Sequence, residues 1–235
     1  LKVTLHLSAP LIHQLDDATL SRFKALGKSK QIEFLGGAGF DCLTVLFSKK
    51  LFEDEIKEFT ALLKQKLGAS PIGFMNAAML YSEDLGKIIT NSKFSYALAP
   101  RIPWFLNDQD TSLYRSKSGE LTLVLPEITE SVVGEQKVRV VKESNPHNLV
   151  KYRGDHTLVS ALIKDTDLPT YHLPDLVAID HKGQGIENLV GNNLQKDFLS
   201  RLSELGNLLT KSSPESIIRD MLWIGSVAHF SQLSN

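Results

Sequence analysis

Two kinds of residue in this chain have the type and the placement for chemistry. The first is a carboxylate closing a buried run. Asp175-Leu176-Val177-Ala178-Ile179-Asp180 reads as a strand that ends on Asp180, and α/β proteins gather ligand contacts and proton transfer at the carboxyl ends of strands. A cap for the following loop would also put an aspartate there. The second is an aromatic ledge, Pro100-Arg101-Ile102-Pro103-Trp104-Phe105, with two adjacent rings held near prolines in a polar neighbourhood. Such rings stack on flat, half-apolar ligands, and they serve equally to close a core, because tryptophan is mostly buried. His6 and His13 read as partly buried or surface histidines. No His, Cys or carboxylate cluster has ligand spacing, so neither a metal nor an organic cofactor is expected.

The elements that must hold these groups are organised around residues 31–81. Strand-length apolar runs at Gln31–Gly37 and from Pro71 to Tyr81 bracket a helical segment, Phe52 to Leu67, whose Phe52, Ile56, Phe59, Leu62, Leu63 and Leu67 form one apolar face. Its charges, Glu53, Asp54, Glu55, Lys57, Glu58, Lys64 and Lys66, run from acidic to basic along the axis, as the helix dipole favours. Function is therefore sought just after Phe34 and just after Phe74. Before this unit lie a strand over Lys2–Leu7 and a helix from Asp17 to Leu26, capped by Asp16 or Asp17. After it, Ser82-Glu83-Asp84 opens a helix through Ile89, and Phe94–Ala99 is a strand. Leu113–Leu125 is a hairpin turning at Ser118-Gly119, and Val132–Val141 suits a second hairpin around Gly134.

The order of motifs carries a resemblance. Gln31-Ile32-Glu33-Phe34-Leu35-Gly36-Gly37, then Cys42-Leu43-Thr44-Val45-Leu46-Phe47, then Phe74-Met75-Asn76-Ala77-Ala78-Met79-Leu80-Tyr81-Ser82 resemble glycoside hydrolase family 57. That family of α-amylases and glucanotransferases reads Gln-Ile-Glu or Gln-Val-Glu with Phe-Leu, then Ser-Leu-Ala-x-Leu-Phe, then Phe-Arg-Asn-Thr-Glu-Leu-Ile-Tyr-Ser. The resemblance implies an α/β fold, an incomplete (β/α)7 TIM-like barrel, with residues 1–235 as one domain. It is dense over residues 31–81, fair over 94–125 and sparse beyond 155. The family's His-Gln-Pro strand has no counterpart, so the chain is expected to be a fragment without that strand or to have lost it.

The resemblance also implies where the chemistry would sit. The family's nucleophilic Glu falls on Ala78 and its general acid on Asp180, while the His after Gln-Ile-Glu falls on Asp41 and the Arg before Asn on Met75. Its closing Ser-Asp-His-Phe survives as Ala228-His229-Phe230, with the aspartate lost, and after Asp180 the expected Glu and His are Lys182 and Glu187. A retaining glycosidase needs two carboxylates about 5 to 5.5 Å apart, and alanine cannot attack an anomeric carbon. Losing one member of a cooperating catalytic set typically costs about 10⁴-fold or more in rate. The expectation is a catalytically impaired domain that recognises α-glucan or another oligosaccharide, with Glu33, Asp41, Trp104 and His229 as the binding candidates and Asp180 as the remaining acid. Two alternatives stay open. One is an active α-glucan enzyme with displaced groups, such as an inverting pair of Asp180 and Glu33 about 6.5 to 9.5 Å apart. The other is a protein-interaction scaffold with a protein partner in place of sugar.

Composition bounds these readings. A length of 235 residues suits one barrel, and a net charge of -1 gives no electrostatic reason to bind nucleic acid or an anionic membrane. No apolar run approaches membrane-spanning length, so insertion is not expected. Cys42 is the only cysteine, which suits a reducing compartment and favours a cytoplasmic location over a secreted one.

Overall fold

The computed structural model describes residues 1–106, 111–126, 131–133, 136–138, 141, 143, 145–152, 154–164, 167–180, 183–184, 186–209 and 213–233. The first half is built from strand–helix–strand units. β1 (Val3–Leu5) leads to α1 (Ala9–Gln14) and α2 (Asp17–Lys28). Pro10 sits in the first turn of α1, where a missing N–H leaves no bond unmade. The Asp16 carboxylate caps α2 by accepting the Thr19 N–H at 2.7 Å. β2 (Ile32–Gly37) is followed by α3 (Thr44–Phe47) and α4 (Lys49–Leu67), and β3 (Gly73–Met75) by α5 (Glu83–Asn91), which Ser82 caps, and β4 (Tyr96–Leu98). β5 (Leu113–Arg115) and β6 (Thr122–Val124) form the expected hairpin, turning through Gly119.

These six strands make one sheet in the order β1-β2-β3-β4-β6-β5, parallel except for β5, which runs antiparallel to β6. Helical crossovers impose the parallel pairing, and the tight turn at Gly119 imposes the antiparallel one. The period-2 alternation then sorts side chains between two faces. Phe74, Ala97 and Leu123 join Phe52, Ile56 and Ile89 of the helices on one face. Leu35, Tyr96, Leu113 and Val124 turn to the other, where Val159, Leu162, Ile163 and Leu168 pack over them. Phe34 packs with α1, α2 and α4 in a third cluster.

The remaining elements are β7 (Ser131–Val133) and β8 (Gln136–Val138), an antiparallel pair within the expected second hairpin, then α6 (Val159–Leu162), β9 (Ile179–Asp180), β10 (Gly183–Gln184), α7 (Glu187–Val190), α8 (Asn193–Leu208), α9 (Glu215–Ile224) and α10 (Val227–Gln232). One expectation is corrected. Among the described residues, 175–180 do not join the main sheet: Ile179–Asp180 pairs with Gly183–Gln184. Asp175 is exposed and Leu176 and Val177 only half-buried, so the start of the run, before buried Ala178, lacks the two buried faces of a central strand.

Candidate functional site at the carboxyl edge of the sheet

β2, β3 and β4 are parallel neighbours, so the segments that follow them share one edge. Their packing is close enough to dictate residue type. At Gly37, φ is 144° and a Cβ would fall 1.8 Å from the Met75 carbonyl oxygen, so only glycine fits. Beyond it the chain turns at Asp41, which adopts a left-handed φ of 52°, a conformation aspartate tolerates better than most residues. The Asp41 carbonyl accepts the Val227 N–H at 3.0 Å, the Leu43 N–H donates to the Gly225 carbonyl at 2.9 Å, and Cys42 bridges Ser226. The joint docks α10 on this turn and brings His229 to the same edge. His229 is half-buried, with Nδ1 2.9 Å from Ser226 Oγ.

After β3, Asn76 caps a single 3-10 turn over Ala77–Met79, its Oδ1 accepting the Ala77 N–H at 2.8 Å. Ala78 and Met79 both take left-handed backbone, with φ of 52° and 48°. Two consecutive such residues without glycine cost roughly 1 kcal/mol or more each, a kind of strain that clusters at ligand sites. Tyr81 and Val177 then exchange two backbone hydrogen bonds of 3.0 Å. Followed outward, that antiparallel register leads to Ala78 on one side and Asp180 on the other, and β9 packs against the Ala77–Met79 turn. The backbone positions that the resemblance pairs as nucleophile and acid thus belong to touching segments. The side chain of Asp180 lies outside the described residues.

The loop after β4 is pinned from beneath. Buried Tyr171 donates its hydroxyl to the Pro100 carbonyl at 2.7 Å and accepts the Ile102 N–H at 3.0 Å. Phe105 packs on the core, whereas the Trp104 side chain stays 72% exposed, its ring tilted 50° against Phe105. Core closure is therefore the role of Phe105, and Trp104 is the open face of the ledge. Glu33 sits apart from these groups. It is the second residue of β2, at the amino end of the sheet, where it accepts a short hydrogen bond from the Tyr96 hydroxyl and one of 3.4 Å from the Ser160 N–H.

Two groups escaped the reading of the sequence. Glu55 is 3% exposed, and its carboxylate accepts the Phe40 N–H at 3.0 Å and the Thr44 hydroxyl at 2.9 Å. Burial pushes its carboxyl up to about 7. Its position three residues after Phe52 and four before Phe59 places it inside the apolar stripe, which was the available signal. Asn76 is 1% exposed with its Nδ2 unpartnered, as is the Tyr81 hydroxyl. Among the described residues no group of three His, Cys, Asp or Glu is placed to hold a metal ion, and no helix is long and apolar enough to cross a membrane.

The described fold is an α/β sheet with a strained, partly exposed carboxyl edge. Residues 1–129 match the sequence profile of glycosyl hydrolase family 57, more than half of the 235 residues, and the chain belongs to that family. Among solved structures, the 4-α-glucanotransferase of Thermococcus litoralis is similar over 100% of this chain and 42% of its own, with a TM-score of 0.64 and 14% identity. The α-amylase AmyC of Thermotoga maritima aligns over 46% of this chain and 22% of its own at 13% identity and a TM-score of 0.39. The family 57 branching enzyme of Pyrococcus horikoshii aligns over 46% and 24% at 13% identity and a TM-score of 0.41. The chain thus spans less than half the length of these enzymes. No curated protein sequence matches it.

Proposed function

We propose that this chain is a catalytically impaired carbohydrate-recognition domain on an incomplete (β/α)7 barrel, which binds α-glucan or a related oligosaccharide at the carboxyl edge of its sheet. The observation that carries the reading is Ala78. It occupies the turn after β3, in the motif frame where the family has its nucleophile, and its segment lies against that of Asp180. A methyl group offers neither attack nor charge stabilisation, so double displacement through this position has no first step. What remains suits recognition: an exposed indole at Trp104 for stacking on a pyranose face, with Asp41 and His229 as polar groups on the same carboxyl edge of the sheet.

Calorimetric titration with maltooligosaccharides at millimolar concentration tests this. Heat of binding is expected for the wild-type chain and its loss for Trp104→Ala. Neither heat nor a shift in Tm with any of these sugars would leave the protein-scaffold reading in its place. Release of reducing ends from starch, abolished by Asp180→Asn, would overturn the impaired reading in favour of an active enzyme.

A further inference from the structure

We propose that Glu55 is the positioning residue of this recognition edge: its carboxylate fixes the 40–44 turn and, through the turn, the helix that carries His229. The inference rests on the recognition reading above. Its geometry is a chain of bonds. One carboxylate oxygen holds the Phe40 N–H and the other the Thr44 hydroxyl, so the two ends of the turn are clamped from below. Asp41, Cys42 and Leu43, between those clamps, make the whole backbone joint to residues 225–227. α4 supplies the clamp from a rigid helix, whereas the turn has left-handed backbone at Asp41 and α10 is only six residues long. Neither has comparable local stability of its own.

The clamp is also sensitive to pH. Asp41 and Cys42 act on Glu55 from the turn and Glu58 from its own helix, and Lys50 and Asp54 line the adjoining cavity with it. The described residues of α8, α9 and the segment between them that line the adjoining cavity, Gly206, Leu209, Ile218 and Leu222, are uncharged, and Glu215, ion-paired with Arg219, acts on Glu58. Burial, the largest effect, disfavours the ionised carboxylate and outweighs the Phe40 and Thr44 hydrogen bonds that favour it, and the negative charges of Asp41 and Glu58 act in the same sense as burial. Ionisation therefore favours opening of the turn towards water, and sugar affinity falls as pH rises through neutrality.

Hydrogen exchange and calorimetry on the full chain test both parts. Glu55→Ala is expected to speed exchange at the Leu43 and Val227 amides by about tenfold beyond any change at the β4 amides, and to weaken maltooligosaccharide binding. Glu55→Gln restores both, because its carbonyl still accepts from Phe40 and its amide donates to the Thr44 hydroxyl. From about pH 6 to about pH 8.5 wild-type affinity falls about threefold to tenfold and that of Glu55→Gln stays flat. Should Glu55→Ala not fold, Thr44→Val removes half of the clamp and is expected to speed the same two amides. The inference is overturned if exchange rises equally throughout the chain, if Glu55→Gln is as disruptive as the alanine, or if its affinity keeps the wild-type pH slope. The exchange measurement needs no sugar. A wild type that binds none while Glu55→Ala loosens only the joint would sink the recognition reading and leave the clamp standing.

Discussion

The two ends of the sheet are held in opposite ways. At the amino end the polar groups are bonded: Glu33 is held by Tyr96 and Ser160, and Thr4 accepts the Val159 N–H at 3.3 Å. At the carboxyl edge Asp41 and the consecutive Ala78 and Met79 carry left-handed backbone, whereas at the amino end it falls on Lys30 and Lys93, just past the ends of α2 and α5, where such a residue is the usual way to stop a helix. At the carboxyl edge, too, the Asn76 Nδ2 is buried without a partner, and Trp104 is exposed. On the proposed function the difference separates scaffold from site, since strain and unsatisfied groups tend to cluster where a ligand can use them. The charge on Glu33 belongs to the first category, although its sequence motif resembles that of the site.

The most damaging way to probe this contrast is Gly37→Ala. The added methyl meets a backbone carbonyl, not a side chain that can rotate away, and φ of 144° is a region that only glycine occupies readily. A loss of more than about 3 kcal/mol is expected, seen as a Tm lowered by roughly 10 °C or as failure to fold. A variant within a degree or two of wild type would mean that β2 and β3 separate at this edge more easily than their packing implies.

The next effect depends on pH. Glu55 has its carboxyl raised from 4.5 to about 7 by burial, so between those values the folded state binds more protons than the unfolded one. Stability from this group is therefore greatest at low pH and declines as pH rises through that window, by at most about 3 kcal/mol. Denaturant unfolding at about pH 5 and about pH 8 should show the decline in wild type and a flatter profile in Glu55→Gln. Equal slopes in the two proteins would remove Glu55 from the account.

How much of this was legible follows from the same physics. The first six strands and their helices were readable because local signals agree: the apolar period of α4, the caps at Asp16 and Ser82, and glycine at the turn of residue 119. The 175–180 run misled because hydrophobic composition looks the same in a sheet strand and in a segment bridging to Tyr81. At the site, motif order marked Ala78 and the ledge marked Trp104. Asp41 and His229 are marked by the motifs too, but the joint that brings their segments together is not, because it is made by backbone atoms that no side-chain pattern encodes. In sequence Glu55 reads as one charge in a dipole-friendly series, and only its place in the apolar stripe marks it as buried.

At the amino end, Tyr96→Phe tests whether the bonded network is scaffold alone. It removes a buried hydroxyl that donates to a carboxylate, which should cost about 2 kcal/mol in denaturant unfolding. Affinity for maltooligosaccharides should be unchanged, since Tyr96 and Glu33 lie at the opposite end from Trp104 and Ala78. A selective loss of sugar binding at full stability would erase the distinction between the ends.

The smallest effect is the most diagnostic of strain. In an exposed helix position such as Ala18 of α2, Ala→Gly is expected to cost about 0.5 to 1 kcal/mol, because glycine loses more freedom on folding. At Ala78 the same loss, and that of a half-buried methyl, are opposed by relief of a left-handed alanine worth roughly 1 to 2 kcal/mol. Ala78→Gly should therefore unfold within about 0.5 kcal/mol of wild type while Ala18→Gly is clearly weaker. The sign of the gap between the two variants measures strain independently of any sugar. If Ala78→Gly were the more damaging of the two, the turn after β3 would be a relaxed part of the core, and the carboxyl edge would no longer differ from the amino end in the way argued above.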